Sequence, residues 1–555
     1  MRSAIAAQRG EIFMKDDVEP YPLAVNQQLM MAFAVPREIP DPQAVANGLS
    51  SILGMDAGEL MQKINKPEDM YEVIKKKLSE DEVAKIRESK LSGIYLQPED
   101  YRYYPGGELA SQLVGYVGND GKEFRGIYGA ESFWDEELKG KEGMLKQKGD
   151  SRGRWISVSD REVNPAENGD DLYLTINHTV QYEVEKILKS SLEKYASDSG
   201  SVVVMEARTG RILAMANAPS FDPNQYSTTE DISTFTNSAV TKSYEPGSVF
   251  KAVTMAIGIE DGKISPDTTY TDTGEVREAG FEIHNSDMKS NGVQTMTQAL
   301  EKSLNTGVIY VEKLVGNKSF AEYVKRFGFG ERTGIDLPSE SAGNVKNLDN
   351  PKTTINFFTA SFGQGIMTTP LQLAAAYGAL ANDGTLMKPQ IVESIKHSDG
   401  TIEEIEPQEI RQAVSKDTAN LVGKMLRSVV VNGHGKRADV PGYLVGGKTG
   451  TAQVAKVGSK GYEEGINIGS FAGYAPTNDP QFVVVVNLYN PKNVEWAESS
   501  AAPTFGEVMK FLLEYYHVKP TEDPKTSPLA KMAPLAETQP QPVDTAQNKD
   551  ENKKD

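Results

Sequence analysis

The chain has 555 residues, a formal charge of −19, 38% apolar residues and no cysteine. Disulfides, thiol nucleophiles and thiolate metal sites are therefore excluded, and so acidic a chain is a poor partner for nucleic acid. Its five histidines, His178, His284, His397, His434 and His517, are scattered without ligand spacing, so neither a metal nor another cofactor is expected.

The length leads to roughly two to four domains. Neither an apolar run of ~18 residues nor a signal peptide stands out, so on the sequence as given the expectation is a soluble chain with no export route of its own. Residues 1–165 are charged and mixed. Arg9-Gly10-Glu11-Ile12-Phe13 opens strand-like pieces, residues 40–93 read as helix and loop with solvated charges, and glycine-rich turns follow through Gly126-Ile127-Tyr128-Gly129-Ala130-Glu131. This stretch is expected to be an interaction or spacer module without an active site.

After Asn168-Gly169-Asp170-Asp171 the character changes. Leu172 to Ile176 reads as a strand and residues 179–195 as a helix, and Ser201–Met205 and Arg211–Met215 form a hairpin around Arg208-Thr209-Gly210. A second strand pair, 469–475 and 482–488, and a helix over 503–516 lie near the other end. Strands at both ends around a helical middle predict an α+β domain with an antiparallel sheet. From about residue 520 onward Pro, Lys, Glu, Gln and Asp dominate, and a disordered tail is expected.

Chemistry concentrates at Ser248-Val249-Phe250-Lys251. Pro246 and Gly247 close what precedes, and a helix is predicted from Ser248 onward, which puts Lys251 one turn away on the same face. A capping serine and a surface lysine would give the same letters. However, Val249, Phe250, Ala252, Val253, Met255, Ala256, Ile257 and Ile259 leave no polar face, and a helix apolar all round is buried. A buried lysine loses pKa and can serve as a base beside a hydroxyl nucleophile.

The same tetrad pattern at Ser191-Leu192-Glu193-Lys194 and Ser286-Asp287-Met288-Lys289 reads as coincidence, on a charged helix and in a polar loop. Two later motifs single out Ser248. Ser303-Leu304-Asn305 follows a short helix and can present a hydroxyl and an amide. Lys448-Thr449-Gly450, followed by Thr451, lies in a strand context running from Tyr443. There Gly450 allows another backbone to approach, as when an extended peptide adds to a sheet edge, and Lys448 with the threonine hydroxyls suits a carboxylate.

Ordered Ser-x-x-Lys, Ser-x-Asn and Lys-Thr-Gly motifs mark penicillin-binding proteins and class A β-lactamases. From about Arg9 to Pro520 the chain resembles a class B penicillin-binding protein, a monofunctional peptidoglycan D,D-transpeptidase. The likeness includes Arg102 to Ser111, Tyr244 to Lys251, Gly334-Ile335-Asp336-Leu337-Pro338, Ser361 to Ile366, Gly447 to Gln453 and Gly473-Tyr474-Ala475-Pro476. It implies a penicillin-binding/β-lactamase-like transpeptidase domain over 166–519, with an antiparallel sheet and a helical subdomain. An elongated mixed α/β dimerisation or pedestal-like module over 1–165 precedes it, and the tail over 520–555 follows.

By the same resemblance Ser248 is the nucleophile, Lys251 the base and Ser303 part of the proton relay. Asn305, Lys448, Thr449, Gly450 and Thr451 hold the substrate, and backbone N–H groups of Ser248 and Thr451 form an oxyanion hole. The expected ligands are peptidoglycan stem peptides and β-lactams. The expected partners are a polytopic glycan polymerase and division proteins, with Phe327-Gly328-Phe329-Gly330 and the Tyr515 to Pro520 end closer to septal than to elongation members. The resemblance also implies a membrane anchor ahead of Arg9, where only Met1 to Gln8 stand, and an extracytoplasmic location; an anchor encoded upstream of the given start is the expectation. Where the family continues with Asp-Arg, this chain has Met14-Lys15-Asp16. A β-lactamase, a D,D-carboxypeptidase, and a non-enzymatic β-lactam sensor or silent scaffold share parts of the pattern.

Overall fold

The computed structural model describes residues 2–119, 124–146, 162–278, 280–456 and 461–528. Its centre is an antiparallel five-stranded sheet with strand order Ile212–Ala218, Ser199–Glu206, Phe482–Tyr489, Tyr462–Ala475, Gly446–Ala455. The valine run at 483–486 is explained by burial on both faces. Val484 and Val486 pack with Val202, Val204 and the helices His178–Tyr195 and Ala501–Tyr515. Val483 and Val485 pack instead with Val203 and the helices Pro370–Ala381 and Lys251–Glu260. Each strand thus serves two cores through its period-two alternation.

Helix Pro370–Ala381 is buried along its whole length, as its lack of a polar face requires. It starts at a capping box between Thr369 and Gln372 with Pro370 in the first turn. The α+β expectation agrees with this arrangement, as does the placement of strands around a helical middle.

A second sheet joins the two halves of the chain. Asp171–Asn177 pairs antiparallel with Val392–Lys396 on one side and parallel with Ile12–Lys15 on the other, and the sheet continues through Tyr21–Ala34 to Glu72–Leu78 and Ile94–Tyr103. Ile12, Met14 and Leu23 share a core with Leu172, Leu174 and Ile176. A smaller core, including Val45, Leu49, Leu60, Ile74 and Ile86, closes the outer part of the N-terminal module.

Three local expectations are corrected. Residues 40–93 contain a strand, Glu72–Leu78, besides the helices Pro42–Leu53, Ala57–Ile64 and Glu80–Ser89. The strand bearing Lys448 begins at Gly446, and 443–445 lie ahead of it outside any strand. Residues 520–528 are held against the domain rather than forming a free tail. Thr521 N–H donates to the Gly442 carbonyl at 2.8 Å, Glu522 pairs with Arg427 at 2.8 Å and buried Ser527 donates to Asp439. The remainder of the expected tail, 529–555, lies outside the described residues. Among the described residues no helix is long and apolar enough to cross a membrane.

Candidate active site

Ser248 lies in a 3-10 turn, Gly247–Phe250, that runs directly into helix Lys251–Glu260, so it is inside the first turn rather than at a cap. The turn is braced from behind. Gly247, at φ +59°, donates its N–H to the Gly363 carbonyl at 3.0 Å. A Cβ on Gly363 would sit 2.2 Å from the Gly247 carbonyl oxygen. Tyr377 donates its hydroxyl to the Val249 carbonyl at 2.7 Å, and Thr254 donates to the Ser361 carbonyl at 2.7 Å.

Lys251 is fully buried. Its Nζ donates to the Ser303 carbonyl at 2.5 Å and to Ser303 Oγ at 3.2 Å. Burial, reinforced by the nearby Lys448 charge, holds its pKa well below the ordinary lysine value. Ser303 sits between helices Met296–Glu301 and Asn305–Val315 at φ +56°, a left-handed conformation uncommon for serine. That conformation turns both its carbonyl and its hydroxyl to one ammonium.

Ser248, Ser303, Thr449 and Thr451 line one cleft of ≈ 450 Å³. Thr449 and Thr451 come from the edge strand of the central sheet, and Thr451 Oγ1 accepts the Ala497 N–H at 3.1 Å. Lys448 is also buried, with its Nζ donating to the Thr449 carbonyl at 3.1 Å and Oγ1 at 3.4 Å. It reaches the cleft through Thr449 rather than lining it. Burial pushes its pKa down to about 7, against the opposing pull of Glu498.

Asn305 does not line the cleft; its Nδ2 donates to the His284 carbonyl at 2.8 Å. Gly450 is explained by the chain's own turn. A Cβ there would lie 2.9 Å from the Pro246 carbonyl oxygen and 3.0 Å from Val249. The segment carrying Ser248, together with Ser470 Oγ at 2.7 Å on the neighbouring strand, already needs this glycine.

Of the two rejected Ser-x-x-Lys matches, Ser191 is buried in its helix and bonded to Thr504. Ser286, Asp287 and Lys289 of the other line the cleft, joined by Lys302. The reading of the sequence also missed His434, Trp496 and Glu498 on the sheet side. The Lys302–Ser303 adjacency was the one available signal, because a residue beside the Ser-x-Asn motif cannot lie far from it.

Comparisons with known proteins agree over most of the chain. Residues 200–510 match the penicillin binding protein transpeptidase domain, and residues 4–174 match the penicillin-binding protein dimerisation domain. Stage V sporulation protein D of Bacillus subtilis is 33% identical over 522 residues, covering 93% of this chain and 79% of that protein. Peptidoglycan D,D-transpeptidase FtsI of Escherichia coli is 30% identical over 525 residues, covering 93% and 85%. The crystal structure of penicillin binding protein 3 from Mycobacterium tuberculosis, complexed with ampicillin, superposes with a TM-score of 0.72 at 29% identity, covering 94% of this chain and 98% of that one.

Proposed function

The chain belongs to the penicillin-binding protein transpeptidase family, and from that premise we propose that its cleft carries out serine acyl transfer with Ser248 as nucleophile. Its function is peptidoglycan D,D-transpeptidation, in line with relatives that bear that name. The observation that carries the assignment of roles is the buried Lys251 bound to Ser303 beside Ser248 in one cleft.

An amine whose pKa is held well below the ordinary lysine value by burial gives up its proton more readily than a free lysine and can then accept the Ser248 proton. Ser248 Oγ then attacks the carbonyl of the penultimate D-alanine, and the backbone N–H groups of Ser248 and Thr451 receive the oxyanion. The peptide C–N bond breaks, and the terminal D-alanine leaves with the proton returned through Lys251 and Ser303. The amine of a second stem attacks the acyl-serine, forming the cross-link and restoring the Ser248 hydroxyl. Thr449 and Thr451 supply hydroxyls toward the bound chain. Lys448 acts from behind them as a charge poised near neutrality, and Asn305 acts by fixing the segment that carries His284.

β-Lactams enter this scheme as acylating mimics of the donor, a reading supported by the relative solved with ampicillin. A septal place of action is consistent with the FtsI relatives. The substrate lies outside the cytoplasm; a seat on the outer face of the membrane, with a polytopic glycan polymerase and division proteins as partners, completes the reading. The N-terminal module over 1–165 serves there as the docking and spacer part, and 166–519 as the catalytic part. The test is intact-protein mass after brief benzylpenicillin exposure, followed over hours for the wild type and Ser248→Ala. A single lasting adduct, absent from the variant, is the expected result. An adduct lost within seconds would indicate a β-lactamase, and none at all would reject the nucleophile.

A further inference from the structure

The cleft carries charges of both signs, with Asp287, Lys289 and Lys302 on the helical side and Glu498 on the sheet side. From the helical side come Lys289 and Lys302, neither of which is ion-paired with a described residue. From the sheet side come Trp496 and Glu498, flanking Ala497, whose N–H is fixed to Thr451 Oγ1 at 3.1 Å. The Trp496 side chain is about half exposed and meets no other ring or cation among the described residues. Glu498 makes no ion pair with a lysine or arginine among the described residues, and its charge acts at longer range on buried Lys448. One of its oxygens, Oε2, lies 2.9 Å from His434 Nδ1, while Oε1 makes no hydrogen bond to a described residue.

A carboxylate held in place beside an open indole face is the ordinary recipe for receiving an organic ammonium, with charge-assisted hydrogen bonding from one and cation–π attraction from the other. The second half-reaction demands such a receiver. Its nucleophile is a primary amine that arrives largely as ammonium and must be placed before it gives up a proton and attacks. We propose that Trp496 and Glu498, the latter steadied by His434, form the subsite for the acceptor amine. This rests on the transpeptidase reading. In the transfer itself the ammonium loses one proton to solvent. Its nitrogen then bonds to the acyl carbon as the bond to Ser248 Oγ breaks, and a second N–H proton returns to that oxygen through the Lys251–Ser303 pair.

The experiment uses the full chain, a thioester donor that acylates Ser248, and a stem tripeptide with a free side-chain amine (lysine or diaminopimelate) as acceptor. The readout is the ratio of amide product to hydrolysed donor as acceptor concentration rises. Both products leave the same acyl-enzyme, so the donor half cancels. Glu498→Gln is expected to raise the acceptor concentration needed for half-maximal capture by about tenfold, a single charged contact's worth. Glu498→Asp should recover part of that, and Trp496→Ala should show a smaller loss. A Glu498→Gln curve superimposed on the wild type would overturn the subsite while leaving the transpeptidase reading intact. Failure of the wild type to form an acyl-enzyme would reject both. Acylation of each variant by benzylpenicillin checks that it is folded, and a variant that folds yet captures acceptor like the wild type counts against the proposal.

Discussion

Lys251 Nζ is bound to both oxygens that Ser303 can offer, the carbonyl at 2.5 Å and the hydroxyl at 3.2 Å. The left-handed backbone of Ser303 makes this possible, at a conformational cost on the order of 1 kcal/mol. Strain spent on orienting one serine toward one buried amine fits proton transfer between the two. Lys251→Met should therefore lower the rate of acylation by benzylpenicillin by roughly 10²–10⁴-fold, the usual contribution of a general base. Its thermal midpoint should hold or rise, since an apolar chain of similar volume replaces a desolvated amine. A stopped-flow acylation rate and a melting curve on the same sample check both halves.

Lys448 gives a pH test with a definite sign. Its folded pKa is pushed down to about 7 by burial, while in the unfolded chain it titrates near 10.4. Below about pH 7 both states hold the proton, so folding bears the whole cost of burying the charge. Between about 7 and 10.4 the unfolded state binds more protons, so stability rises with pH as that cost is relieved. Lys448→Met should accordingly gain stability over the wild type at pH 6 and lose most of that advantage by pH 9. Denaturant midpoints at the two pH values measure the difference. An advantage equal at both would mean that Lys448 is not desolvated in solution.

The catalytic half of this architecture was legible because its signals are local. Continuous apolar runs at 202–205 and 482–486 give a sheet buried on both faces, and the apolar stretch around Lys251 gives the buried lysine. What the sequence hid depends on contacts far apart along the chain. His434 meets Glu498 across 64 residues, and Gly450 is required by Pro246 across some two hundred. No periodicity encodes either contact. The strand Glu72–Leu78 was hidden for another reason, as its three consecutive lysines mask a pattern in which only Ile74 and Leu78 are fully buried. The segment 520–528 has the composition of a tail, and its order comes from Asp439, which is buried and bonded to both Arg427 and Ser527.

The N-terminal module is held by a buried charge cluster that its sequence did not announce. Glu131 is fully buried, 2.7 Å from Arg9 and 2.6 Å from Arg102, with the Tyr104 hydroxyl at 3.3 Å. Burial alone would raise its pKa, but the two guanidiniums prevail and hold it below the ordinary glutamate value. Removing the carboxylate strands buried Arg102 and leaves Arg9 with Asp135 alone, the costly way to break such a cluster, so Glu131→Ala should lose about 3–5 kcal/mol. The sign with pH follows from the depressed pKa. The stabilisation is present above the unfolded value near 4.3 and is lost as pH falls through the lower folded one. The wild type and Glu131→Gln should thus differ most near neutrality and converge below pH 4. Because Ile12 to Lys15 shares a sheet with Asp171 to Asn177, the loss should register in the unfolding of the whole chain. Denaturant unfolding of the two proteins at pH 7 and pH 3 decides it: a gap that does not narrow at pH 3 would show that the cluster is held by packing and not by charge.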